Sequence, residues 1–131
     1  MATPLDSVQY VSLETFRKDG SGVKTPVWVA PLDGKLVIAT GGSSYKVKRI
    51  RNDPRVRLAV CNSSGSQILG PWYEGEAGIA QDAEAARADA AITAKYGLQR
   101  RVFNFFAKLF GRDKDRAIIV VTLQGEVGKS V

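Results

Sequence analysis

The chain of 131 residues contains no histidine and a single cysteine, Cys61. Without histidine, Ser-His-Asp and Cys-His catalysis are excluded, together with histidine-ligated metal sites and the commonest general acid/base near neutral pH. One cysteine forms neither an internal disulfide nor a cysteine-rich metal site, which agrees with a reducing compartment; cytoplasm is the expected location. No stretch approaches the ~20 apolar residues needed to span a bilayer, and the opening Met-Ala-Thr-Pro-Leu-Asp lacks a basic region followed by an apolar core. Neither a membrane anchor nor export by a signal peptide is therefore expected. No metal is expected either, and if the chain is an enzyme a cofactor supplies the chemistry.

What is present is an ordinary globular composition, 44% hydrophobic and 24% charged, which does not indicate disorder. The length fits one domain over residues 1–131, too small for separate cofactor and substrate domains. A substantial ligand therefore belongs on a surface groove or at a subunit interface.

The charge is distributed unevenly. Six of the nineteen Lys and Arg residues (Lys46, Lys48, Arg49, Arg51, Arg55 and Arg57) fall between Gly41 and Arg57, and with Asp53 they give this segment +5 of the chain's +6. Ser43 or Ser44 is suited to cap a short helix whose inner face carries Val47 and Ile50, with Lys46 and Arg49 on a neighbouring face and Pro54 ending it. A Gly/Ser turn leading into a basic helix supplies unpaired N–H groups, hydroxyl donors and cations in one place, which is what a phosphate or another polyanion needs. No GxxxxGK[ST] pattern is present, so a nucleoside-triphosphate loop is not indicated.

Around this segment the pattern is mainly β. Strand-like runs cover residues 9–17, 23–30 and 36–40, separated by turn signals at Lys18-Asp19-Gly20-Ser21-Gly22 and Leu32-Asp33-Gly34-Lys35, so the first forty residues read as a three-stranded meander. Pro26 must lie at an edge, at a bulge or where a backbone N–H is not required. Further strands are expected over 55–61, 71–80 and 116–123, the last apolar enough to be buried on both faces. A helix opens at Asp82, read as its N-cap, carries Ala85, Ala88, Ile92 and Tyr96 on one face and ends at Gly97. A second helix over 99–110, with Phe103, Phe106, Ala107 and Phe110 on one face, is apolar around most of its circumference. Six strands with two or three helices predict a small, partly closed barrel of the mainly β, α+β class with helical cover. Cys61, at a strand end, reads as buried and inert; Trp28 and Trp72 read by default as core or interface aromatics.

Five segments in order carry a resemblance: Thr15-Phe16-Arg17-Lys18-Asp19-Gly20, Thr25-Pro26-Val27-Trp28, Lys46-Val47-Lys48-Arg49-Ile50, Asp53-Pro54-Arg55-Val56 and Gly70-Pro71-Trp72. Together they resemble the pyridoxamine-phosphate-oxidase-like flavin and deazaflavin oxidoreductases, and within them the actinobacterial coenzyme F420-dependent branch, in which Lys95-Tyr96-Gly97-Leu98-Gln99 also has counterparts. The resemblance spans nearly the whole chain. It implies a six-stranded, FMN-binding-like split β-barrel that forms a homodimer with cofactor sites at the subunit interface. It also implies that the backbone of Thr25, Pro26 and Val27 seats the cofactor ring, and that Thr40, Ser44, Lys46, Lys48 and Arg49 hold its phosphate. Trp72 would approach from the other subunit, while Tyr45 replaces a residue that is usually small. The cofactor so implied is F420, with FMN as the alternative, and the reaction is hydride transfer to a small unsaturated or aromatic substrate. Arg51, Arg55 and Arg57 lean toward the longer anion of F420. No catalytic side chain is identified. Two other readings stay open: a carrier that binds flavin or F420 without turnover, and a small-barrel nucleic-acid module. The latter fits the basic helix but not the separation of the aromatics from the cationic cluster.

Overall fold

The structure is a computed structural model that describes residues 5–6, 8–41, 44–96 and 116–126. The chain runs β1 (Tyr10–Phe16), β2 (Gly22–Trp28), β3 (Ala30–Leu32), β4 (Lys35–Gly41), α1 (Tyr45–Asn52), β5 (Arg55–Val60), β6 (Tyr73–Ile79), α2 (Asp82–Tyr96) and β7 (Arg116–Glu126). Seven strands, every neighbouring pair antiparallel, form one sheet in the order β2-β1-β5-β6-β7-β4-β3.

The two edge strands of that sheet, β2 and β3, are separated in sequence by Val29 alone. In a flat sheet seven strands wide, edges lie about 29 Å apart. One residue spans at most about 3.6 Å, so the sheet must curl back until its edges nearly meet. The result is a split barrel, as expected, with seven strands where six were predicted. The stretch read as one strand over 23–30 is broken at the fully buried Val29.

The meander is also corrected. Asp33 and Gly34 both have positive φ, 53° and 78°, the geometry of a two-residue type I′ hairpin, and they set Leu32 opposite Lys35. β4 is thereby paired with the short β3 on one side and with β7 on the other, and it does not pair with β2. Among the described residues β2 has no strand partner on its outer side, where Pro26 lacks an N–H to offer, as anticipated.

Alternation along the strands builds two apolar layers. Val11, Leu13, Leu36, Ile38, Val56, Leu58, Ile119 and Val121 fill the barrel interior, and Ile50 of α1 packs against them. Val37, Ile118 and Ala30 face the other way and are covered by Ala88 and Ile92 of α2. β7 therefore contributes to both layers, which accounts for its uninterrupted apolar run. In α2 the cap position is Gln81, whose carbonyl accepts from the N–H groups of Glu84 and Ala85 at 3.1 and 3.4 Å. Asp82 is the first helical residue because Ala80 N–H is still held by Ile118 O at 2.9 Å, and the chain turns only after it. The expected helix over 99–110, Gly97 and the Tyr96 side chain lie outside the described residues.

Two ties close the structure locally. Lys95, in the last turn of α2, donates from Nζ to three main-chain carbonyls: Asp6 O at 2.8 Å, Val8 O at 2.5 Å and Val29 O at 2.7 Å. The loop after β5 folds back on β2 through Gly65, whose φ is +76° and where a Cβ would stand 3.1 Å from Pro26 Cδ. Gly65→Ala is expected to destabilise the protein by about 1 kcal/mol, through the left-handed backbone and the crowding against a rigid ring. A lowered urea midpoint with an unchanged slope would show it.

Candidate anion-binding site at the first helix

Ser44 caps α1, its Oγ accepting from Val47 N–H at 3.4 Å, and the first turn carries no acidic residue. The serine hydroxyl keeps its own proton to donate, and the first turn of the helix contributes no carboxylate to offset its positive end. At the other end Asp53 N–H bonds to Arg49 O at 2.7 Å and Pro54 prevents a further turn.

Val47 and Ile50 bury one stripe of this helix against the barrel. With about 100° per residue, that orientation sends Lys46 and Arg49 along one flank and Lys48 and Arg51 along the other. Arg49 Nε donates to Oγ1 of the fully buried Thr15 on β1, at 2.6 Å. Lys46 is half-buried, and no described carboxylate pairs with it or with Arg49. Burial, and then the neighbouring Arg49, pushes the Lys46 ammonium below its usual 10.5. Burial, and then Arg17, likewise lowers Arg49. Lys46 and Arg49 thus lie side by side with no described carboxylate between them, while Arg17, which lies near Asp19, adds to the same positive field; an incoming oxyanion stabilises this arrangement.

Thr25 completes this side. In the β1–β2 register Leu13 lies opposite Thr25 and Thr15 opposite Val23, so Thr25 shares the inward face with Thr15 as a diagonal neighbour, on the order of 7 Å away. Its Oγ1 is buried and has no hydrogen-bond partner, alone in this among the described side chains. Val27 also faces inward, packed against the core. Thr40, partly buried, shares the alternation of Leu36 and Ile38 and so lies on the barrel-interior face of β4, four residues before Ser44. The donors gathered here are hydroxyl, ammonium and guanidinium. Among the described residues no cluster of His, Cys, Asp and Glu could hold a metal.

Other candidates are placed elsewhere. Lys48 projects from the opposite flank, its Nζ 5.2 Å from the ring centroid of the exposed Tyr45. Pro26 points outward onto Gly65. Trp72 is also on the outer side, under Lys24 Nζ at 5.2 Å, and within one chain it lies across β2 from Thr25. Arg55 and Arg57 do not extend the cationic cluster, contrary to expectation. Strand alternation puts them with Glu14 on the outer face, whereas Arg49 reaches Thr15 on the inner one. There Arg55 pairs with Asp53 at 2.8 Å, and Arg57 lies 3.9 Å from Glu14 and 4.0 Å from Glu74. Both guanidinium groups stack near Phe16, at 5.3 and 5.9 Å, along an open groove of about 420 Å³. Cys61 is buried, and burial raises its thiol pKa, as befits an inert core residue.

Thr15 and Arg17 belong to a segment that carries the family resemblance, but neither is given a site role by the sequence alone. The signal was available: Leu13 and Thr15 alternate along β1 and Arg17 follows one step beyond its end, so a buried Leu13 carries the other two to the same face.

Solved structures with this fold include a conserved hypothetical protein of Mycobacterium tuberculosis, 22% identical, with a TM-score of 0.67 over 92% of this chain and 76% of that one. They also include a heme-binding protein of Mycobacterium smegmatis, 20% identical with a TM-score of 0.64 over 94% of this chain and 51% of that one, so this chain spans about half its length. An F420 reductase is 18% identical with a TM-score of 0.59 and matches over 95% and 94% of the two chains. A search of curated protein sequences found no significant match. Residues 1–126 match the profile of the pyridoxamine 5'-phosphate oxidase family, and the chain belongs to that family.

Proposed function

We propose that this protein is a cytoplasmic, homodimeric oxidoreductase that binds coenzyme F420 and serves hydride transfer to a small unsaturated or aromatic substrate. The observation that carries the reading is the uncompensated Lys46–Arg49 pair beside the Ser44-capped helix and the unpartnered Thr25 hydroxyl. Its donors match an anionic cofactor tail. Lys46, Arg49 and the Ser44 hydroxyl would hold the phosphodiester, and the outer edge of β2 from Thr25 to Val27 would seat the ring, with Trp72 contributed by the partner. The deazaflavin supplies the hydride chemistry when bound, which fits a chain without histidine. What the residues supply is a fixed position for the ring and a dry, cationic anchor for its tail.

FMN is the second reading, favoured by the compactness of the cluster once Arg55 and Arg57 are assigned to the outer face. Heme is disfavoured, because the chain has no histidine and its sole cysteine is buried, which raises its thiol pKa away from the thiolate that ligates iron. A fluorescence-quenching titration with F420 and with FMN tests the proposal. Saturable micromolar binding of F420, with weaker FMN binding, is expected; retention of neither would remove it.

A further inference from the structure

Resting on the proposed cofactor site, we infer that Arg17 is a specificity-determining residue that binds a second anionic group of the ligand, beyond the phosphate held at α1. The hairpin register continues one step past β1, with Arg17 N–H donating to Ser21 O at 2.9 Å. Arg17 therefore follows Thr15 on the inward face, about 7 Å further along the strand. Thr15 is the residue whose hydroxyl holds Arg49. Lys46, Arg49 and Arg17 consequently form a row that leads from the helix start to the tip of the β1–β2 hairpin. The guanidinium of Arg17 is kept in place by a bond from Nη1 to Ser21 Oγ at 3.3 Å. The acid of this turn, Asp19, accepts its hydrogen bonds from Ser21, from the N–H at 2.9 Å and from Oγ at 2.7 Å; the Arg17 charge acts on it only at longer range, and no hydrogen bond or ion pair joins the two. Arg17 itself is exposed, so a ligand group reaches it without displacing core atoms.

A compact phosphate occupies the Lys46–Arg49 end of such a row and leaves Arg17 untouched. A ligand with a phosphate and further carboxylates, as in the glutamate-bearing tail of F420, occupies both ends. Arg17 then separates the two ligand classes without touching the reactive ring.

The test is binding of four probes (F420, FMN, inorganic phosphate and tripolyphosphate) to the wild-type protein, Arg17→Gln and Arg17→Lys. Arg17→Gln is expected to weaken F420 and tripolyphosphate roughly fivefold, FMN and phosphate less than twofold, with Arg17→Lys largely restoring the loss and thermal stability unchanged. Equal losses for the one-anion and extended probes, or none for any, would overturn the inference. If the wild type retains neither cofactor but binds tripolyphosphate in an Arg17-dependent way, the row stands and the cofactor assignment falls.

Discussion

Lys46→Ala should weaken binding of the anionic cofactor by about 2 kcal/mol, roughly thirtyfold in dissociation constant, whereas Lys48→Ala should change it by less than twofold. The difference follows from the helix. Val47 and Ile50 anchor α1 so that Lys46 is half-buried beside Arg49, while Lys48 projects from the other flank toward the exposed Tyr45. A charge-assisted contact sheltered from water is worth on the order of 1.5–3 kcal/mol, and an exposed one falls under 1 kcal/mol. Equal losses in the two variants would mean that the ligand lies across the helix start and not along the Lys46–Arg49 flank.

The titration of Lys46 adds a pH signature with two opposite trends. Its ammonium is held below 10.5 in the folded chain, so the unfolded chain binds more protons between that lowered value and 10.5. Without ligand, stability from this group is diminished at neutral pH and rises as pH climbs through that window. Anion affinity runs the other way, being full at neutral pH and lost as Lys46 deprotonates. Parallel titrations from pH 7 to 10.5 in the wild type and Lys46→Ala would check it; an identical pH dependence in both would assign the trend to another group.

Lys95→Met should destabilise the fold by about 3 kcal/mol, lowering the melting temperature by about 10 °C. Its ammonium donates to the carbonyls of Asp6, Val8 and Val29, and so ties three points of the chain to the last turn of α2. Methionine keeps much of the apolar stem but removes all three ammonium hydrogen bonds. Val29 is the single residue between the two edge strands, so the lysine pins the place where the sheet closes on itself. Lys95→Arg, which retains donors in a wider fork, should recover part of the loss. A melting point within 2 °C of wild type in Lys95→Met, by calorimetry, would show that water replaces the ammonium at no net cost.

Much of the fold was legible because the local rules agree with one another. The alternation of Val56, Leu58 and Val60 marked β5, the continuous run after Ala117 marked a strand buried on both faces, and Ser44 with Val47 and Ile50 marked α1 with its cap and inner stripe. Asp33-Gly34 marked a turn, but not which strands it joins. A strand's partner is set by the closure of the whole sheet, and nothing between Trp28 and Ala30 announces that one strand ends and another begins at the opposite edge.

The candidate site divides the same way. Sequence alone determined that chemistry by histidine or cysteine clusters is absent, that positive charge is concentrated between Lys46 and Arg57, and that a hydroxyl-capped helix begins there. These are properties of residue type and short spacing, for which the period of 3.6 or 2 suffices. Only the tertiary structure decided which cations act together. It turned Arg55 and Arg57 outward onto Glu14, Glu74 and Phe16, divided Lys46 from Lys48 across one short helix, and brought Arg17, some thirty residues earlier in the chain, into line with Arg49. The reason is that a charge acts through distance and burial, and both are fixed by strand register and helix docking between segments far apart in sequence.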